Sequence, residues 1–245
     1  MRRLISAGLV AVVVLALIAG AVALIGSYTF LPPILESAVA RDVQDQFDLT
    51  EAPEVRLESD PQPAMLTGTF SGGRVSMRGV ELGGVRAESA IVDLEPFDVD
   101  VSASLVQGEA VGEEPLAGNL RVQVSEAEIS HLAGEEAGTP VDAVELEDGR
   151  MLVRSAATVF GIEVPVSVTG SLNLHEENLV FEPKGLRAAG VPVPGEVSDQ
   201  LLAEAAFTYP LKRLPAGARI TGARVEEGRL VLKGEIDRIP LGASG

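Results

Sequence analysis

Few residues in this 245-residue chain have the type and spacing for chemistry. Asp98, Asp100, Ser102 and Glu109 stand at the first, third, fifth and twelfth places of a calcium-loop spacing. Such a loop needs glycine at its sixth place for a sharp turn, and here that place is Ala103. The segment also alternates as a strand does, so these groups are expected as strand-face carboxylates. His131 and His175 are the only histidines, too few for a three-histidine metal site, and both are expected at the surface. Ser130 precedes His131, but a nucleophile and its base are neighbours in space rather than in sequence. Cysteine is absent, which removes thiolate zinc sites, disulfides and a Cys nucleophile. G-x-S-x-G, H-E-x-x-H, the P-loop and G-x-G-x-x-G are missing as well. The expectation is a binder: no catalytic residue, no metal, no cofactor.

Charge narrows the choice of ligand. Nineteen Lys and Arg face 36 Asp and Glu, a formal net charge of −17. A nucleic-acid binder needs a basic face to displace counterions from phosphate, so that class is excluded. With no Trp and 4% aromatics, stacking platforms are scarce too. The stretch from Lys212 to Arg238 departs from the rest, with seven basic residues against four acidic ones. Ordinary solvent-facing sheet charges account for it; the sharper alternative is a place for an anionic headgroup. Lys212 and Arg213, just before Leu214-Pro215, are the first candidates for that role. Arg187, in an expected loop from Gly185 to Pro194, is the second.

The elements that must position these groups begin at a membrane. Leu4 to Ile25 is an uncharged 22-residue run. At 1.5 Å per residue it spans roughly 33 Å, enough to cross a hydrocarbon core of about 30 Å. Arg2 and Arg3 precede it and no basic residue follows until Arg41, so the chain after it is expected outside the cytoplasm. Two A-x-A-like sites, Ala19–Ala21 and Ala21–Ala23, leave a cleaved signal peptide open. Residues 1–26 are thus expected as an anchor or signal segment, and 27–245 as one extracytoplasmic domain. That domain carries 17 basic and 36 acidic residues, a net charge of −19, and would not adhere to anionic lipid by charge alone.

Past Pro32-Pro33, the residues Leu35, Val39, Val43 and Phe47 recur every four positions and predict an amphipathic helix of roughly 14 residues. A polar, proline-rich loop is expected from Glu51 to Pro63. Beyond it, alternation with period two dominates. Phe97, Val99, Val101, Ala103 and Leu105 form one such series; Val164, Val166, Val168, Gly170, Leu172 and Leu174 another. Shorter series run over Leu120–Val124 and Leu230–Ile236. Turn residues at Leu82–Gly84, Glu147–Gly149, His175–Asn178 and Glu226–Gly228 join these as hairpins. Two further helices are expected, one from Ser125 through Leu132 with Ser125 as N-cap, the other over Pro194–Phe207.

Strands with one aliphatic face and one wet face, held at a membrane, point to lipid. A curved sheet around a helix encloses either a packed core or a slot for acyl chains, and periodicity does not separate the two. A bilayer already offers acyl chains an apolar medium, so a carrier needs only a comparable lining, with specificity left to the headgroup.

Several segments carry a family resemblance. They are Leu66–Phe70 with Gly72–Val75, Val85–Glu88 leading to Val92–Leu94, Val122–Glu128, Leu146–Gly149, Gly161–Val166, Leu179–Pro183, Leu214–Gly217 and Gly228–Gly234. In this order, over roughly residues 33–241, the chain resembles the LmeA-like phospholipid-binding proteins of actinobacterial envelopes. The resemblance implies an elongated, β-rich α+β fold: a curved antiparallel sheet wrapped around a long amphipathic helix, with an apolar cavity for phospholipid. It maps no catalytic residue.

The expectation is therefore a membrane-anchored phospholipid binder of the cell envelope, serving lipid transport or homeostasis. Leu35, Val39, Val43, Phe47, Phe97, Val99, Val101, Val164, Val166 and Val168 are the candidate acyl-chain contacts. A non-enzymatic scaffold with a filled core and a lipid hydrolase are the competing readings. The missing nucleophile motif weighs against the hydrolase.

Overall fold

A computed structural model describes residues 31–47, 49–82, 84–107, 111–112, 114–137, 141–147, 149–159, 162–193, 195–211, 214 and 217–239. The expected span Leu4–Ile25, together with Glu109, Lys212 and Arg213, lies outside them. No helix among the described residues is long and apolar enough to cross a membrane.

Helix α1 (Leu31–Gln46) opens the described chain. Its proline pair sits in the first turn, where a missing N–H leaves no hydrogen bond unmade. Ala38, Val39 and Val43 are buried, and Phe47 packs half-buried against the core just past the helix end. The helix rests on strand β1 (Glu54–Glu58), and Glu36 Oε1 accepts the Leu57 amide at 3.0 Å. It lies on an edge strand, whereas the sequence predicts a helix enclosed by the sheet. The physical reason is that the sheet fills its own inner face. Strand β1 also corrects the loop expected over Glu51–Pro63. Val55 and Leu57 point inward while Glu54, Arg56 and Glu58 face water, an alternation too short to stand out between prolines.

A 3₁₀ helix (Gln62–Thr67) leads to β2 (Thr69–Phe70), β3 (Gly72–Arg78), β4 (Glu81–Leu82), β5 (Val85–Arg86), β6 (Ser89–Leu94) and β7 (Phe97–Asp98). Helix α2 (Val101–Gln107), β8 (Leu116–Ser125) and helix α3 (Glu126–Ala137) follow. The next strands are β9 (Ala143–Glu147), β10 (Arg150–Val159), β11 (Ile162–His175), β12 (Asn178–Ala188) and β13 (Val191–Pro192). Helix α4 (Glu196–Ala205), β14 (Phe207–Pro210), β15 (Ala218–Glu226) and β16 (Arg229–Ile239) complete a β-rich α+β architecture.

The first sheet runs β1-β3-β6-β8-β16-β15, antiparallel throughout. One register row crosses all six strands as Val55–Val75–Val92–Leu120–Gly234–Ile220, and every member is buried. A neighbouring row on the opposite face reads Arg74–Asp93–Asn119–Glu235–Arg219. There Arg74 bonds Asp93 at 2.6 Å and Arg219 bonds Glu235 at 2.9 Å. These cross-strand pairs, rather than free cations, account for part of the basic residues after Lys212. The second sheet runs β13-β12-β11-β10-β9, with β14 added to β12. Met151, Leu146, Leu172, Leu179 and Phe181 place its inner face in the same buried cluster as the first sheet.

Helix α3 seals an exposed edge. Strand β9 ends the second sheet, and an unpaired edge invites pairing with another chain. Glu126 Oε1 accepts the Leu146 amide at 2.6 Å, and Ser130 Oγ accepts the Val144 amide at 3.0 Å. Ser125 Oγ accepts the Glu128 amide at 3.3 Å, as an N-cap should. The helix continues five residues beyond the predicted Leu132.

The strand predicted over Phe97–Leu105 is corrected. Only Phe97 and Asp98 are strand, Val99 makes an isolated bridge to Gly112, and helix α2 starts at Val101. Asp100 overrides the alternation. Its Oδ1 accepts the Ala103 amide at 2.9 Å and the Ser102 hydroxyl at 2.7 Å, so the carboxylate terminates the strand and starts a helix. These bonds, the Ala103 amide foremost, hold the Asp100 carboxyl below its usual range.

Candidate functional site

The candidate acyl-chain residues fall into two groups. Val39, Val43, Phe97 and Val99 are buried in the common core, and Phe97 stacks on Phe70 with ring centroids 4.9 Å apart. Leu35 lies on the same helix as Val39, and Val101 is half-buried at the start of α2. Val164, Val166 and Val168 form the second group, all half-buried on β11. Val168 packs against the core, whereas Val164 and Val166 stand outside the core cluster.

Register sets the neighbours of these valines. Val166 lies between Ser155 on β10 and Ala188 on β12, and Val164 lies beside Ala157. Small side chains thus flank Val166 on both neighbouring strands. Two residues further on, Val168 sits between Val153 and Leu186 and packs against the core. Helix α4 packs on β12 beside this region. It leaves Leu201 exposed at 43%, and the neighbouring Val191 at 65%.

The other face of the same strands is polar. A groove of about 800 Å³ is lined by Arg150, Leu152 and Arg154 of β10, Ser167, Thr169 and Ser171 of β11, and Lys184 and Arg187 of β12, with glycines at its floor and rim. Pairing sets Arg154, Ser167 and Arg187 in one row across three strands, and Leu152, Thr169 and Gly185 in the next. Arg187 is therefore on a strand, not in the expected loop. The register shifts between Thr169 and Gly170, leaving Lys184 as the extra residue of a β-bulge. That shift lets Leu186 and the odd-numbered Phe181 and Leu179 share the inner face. Gly170 is required beside it, since a Cβ there would lie 2.7 Å from the Phe181 ring and 2.4 Å from the Glu182 carbonyl oxygen.

Carboxylates border the groove on the β9 side. Arg154 pairs with Glu145 at 2.7 Å, and Glu147 lies opposite Arg150 in register. Glu182 accepts bonds from Asn173 at 3.3 Å and Ser171 at 3.5 Å. Lys184 and Arg187 have no carboxylate partner among the described residues.

Arg150, Arg154 and Lys184 escape sequence reasoning, which placed the cationic patch after Lys212. The spacing Arg150-x-Leu152-x-Arg154 was a usable signal, but only the strand register brings Arg154 and Arg187 to the same serine. Ser130 is not arranged as a nucleophile: it donates to the Glu126 carbonyl at 2.9 Å and accepts from Val144. His131 lies 3.6 Å from Glu135, in a small hollow shared with Glu81 and Glu128.

A family model described as LmeA-like phospholipid-binding matches residues 27–235, most of the chain. No curated protein and no solved structure matches it. A face of half-buried valines backed by a polar face on the same strands suits an amphiphilic ligand, and the chain belongs to the LmeA-like phospholipid-binding family.

Proposed function

We propose that this chain is a membrane-anchored, extracytoplasmic phospholipid-binding protein, without enzymatic activity, that shelters acyl chains during envelope lipid transport or homeostasis. Membership of a phospholipid-binding family supports the ligand class. The observation that carries the acyl site is the pair Val164 and Val166, which share the core-facing side of β11 with Val168 and Leu172 but stay half-buried and outside the core cluster of the described residues. The reading places an acyl chain along these valines, in an acyl trough flanked by the small residues Ser155 and Ala188. The uncharged run Leu4–Ile25, bounded by Arg2 and Arg3, supports the anchor and its orientation.

Residues 31–245, produced and purified without detergent, test the reading by native mass spectrometry followed by lipid extraction. A stoichiometric phospholipid adduct is the expected result and would name the headgroup. A mass that stays free of lipid after incubation with phospholipid vesicles would refute it and favour a filled-core scaffold.

A further inference from the structure

The polar groove lies on the opposite face of β10–β12 from the acyl trough. We propose that it is a second site, which binds a phosphate group through Lys184, Arg187 and the hydroxyls of Ser167 and Thr169. Successive residues of a strand point to opposite faces, so Val166 belongs to the trough and Ser167 to the groove. One lipid molecule does not pass through the sheet to occupy both.

The chemistry of the lining selects the ligand. Three hydroxyls alternate along β11, with cations on the strands to either side. Glu145 holds the Arg154 guanidinium on the β9 side, so the cations left to reach a group seated above Ser167 are Lys184 and Arg187. Leu152 is the only large apolar residue among the described residues of the lining, which disfavours an acyl chain. A phosphate presents three or four acceptor oxygens to this donor set, more than a carboxylate, and guanidinium groups match it with paired N–H bonds. Gly185 and Gly190 leave open space, since a Cβ at either would meet nothing within 4 Å. Glu145 and Glu147 border the β9 side and Glu182 lies beside Ser171, which leaves Lys184 and Arg187 as the lining cations without a carboxylate partner among the described residues. Such a site stands out in a chain of net charge −17. The phosphate comes either from a phospholipid headgroup in the adjacent bilayer or from a soluble phosphate ester.

The test uses the full chain in non-ionic detergent, titrated calorimetrically with glycerol phosphate. Saturable one-to-one binding is expected. Lys184→Gln and Arg187→Gln should each weaken it about tenfold, the usual worth of one charge-assisted hydrogen bond. Ser167→Asp should abolish it by placing a carboxylate between Arg154 and Arg187. Val166→Asp should leave it unchanged, which separates this site from the acyl trough. Repeating the titration in phosphatidylglycerol nanodiscs distinguishes the sources. Blocked binding identifies the lipid headgroup, and persistent binding identifies a soluble ester. Absence of saturable binding, or wild-type binding by a folded Lys184→Gln/Arg187→Gln variant, would overturn the proposal. Both side chains are exposed, so that variant should melt as the parent does.

Discussion

Replacing Val166 with Asp is the sharpest perturbation of the acyl trough. Val166 is half-buried, outside the core cluster, and flanked by Ser155 and Ala188. An acyl chain crossing it would cover about two methylenes, worth roughly 1.6 kcal/mol at ~0.8 kcal/mol each. A carboxylate beneath that chain adds a desolvation cost of at least a further ~1.5 kcal/mol. The sum, about 3 kcal/mol, predicts a loss of lipid affinity of roughly a hundredfold or more. Val168→Asp would be a poorer choice, because Val168 packs against the core and its replacement would also destabilise the fold. The assay is phospholipid per protein after purification of residues 31–245, read by native mass spectrometry, with circular dichroism to verify folding. Ser167→Asp is the control. One residue away but on the other face, it should retain the lipid. Wild-type lipid content in folded Val166→Asp would remove β11 from the acyl site and refute the reasoning.

Three further outcomes follow from the scaffold. Gly68→Ala should destabilise far more than Gly228→Ala. Both have positive φ, costing about 1 kcal/mol for a residue with a side chain, but only at Gly68 would the Cβ meet an atom, the Val99 carbonyl oxygen at 1.9 Å; comparable thermal shifts would contradict this. Glu126→Ala should cost about 1–3 kcal/mol in chemical unfolding, by leaving the Leu146 amide at the β9 edge without its acceptor. Asp100 has a depressed carboxyl pKa in the folded chain. Its capping contribution is therefore complete above the usual carboxylate range and disappears as pH falls through the lowered value. Amide protection across Ser102–Gln107, taken relative to the intrinsic exchange rate at each pH, should fall on that acid side, and Asp100→Asn should flatten the dependence.

Several features of the fold were legible because they depend on local pattern. Period-two alternation over Val164–Leu174 placed most of β11, and the capping serine at 125 marked the start of α3. The turns at Glu176-Glu177 and Glu226–Gly228 carry positive φ angles at the positions that join their hairpins. Local pattern failed where a single side chain redirected the backbone. Asp100 ended a series that alternates through Leu105, and prolines at either side concealed β1. The site divides in the same way. Val164, Val166 and Val168 are recognisable from alternation, and Arg187 from its charge, but Val39 and Val99 look equally suited to a cavity and are packed.

By itself, then, the sequence determined a β-rich α+β chain with aliphatic strand faces, an acidic surface and the family to which it belongs. Periodicity and composition are properties of neighbouring residues, so one sequence suffices to read them. Only the tertiary structure decided which aliphatic residues the core consumes and which stay half-buried beside it. It alone joined Arg154, Ser167 and Arg187 across three strands. That row depends on pairing register and on one bulge at Lys184; a shift of a single residue would send each side chain to the opposite face.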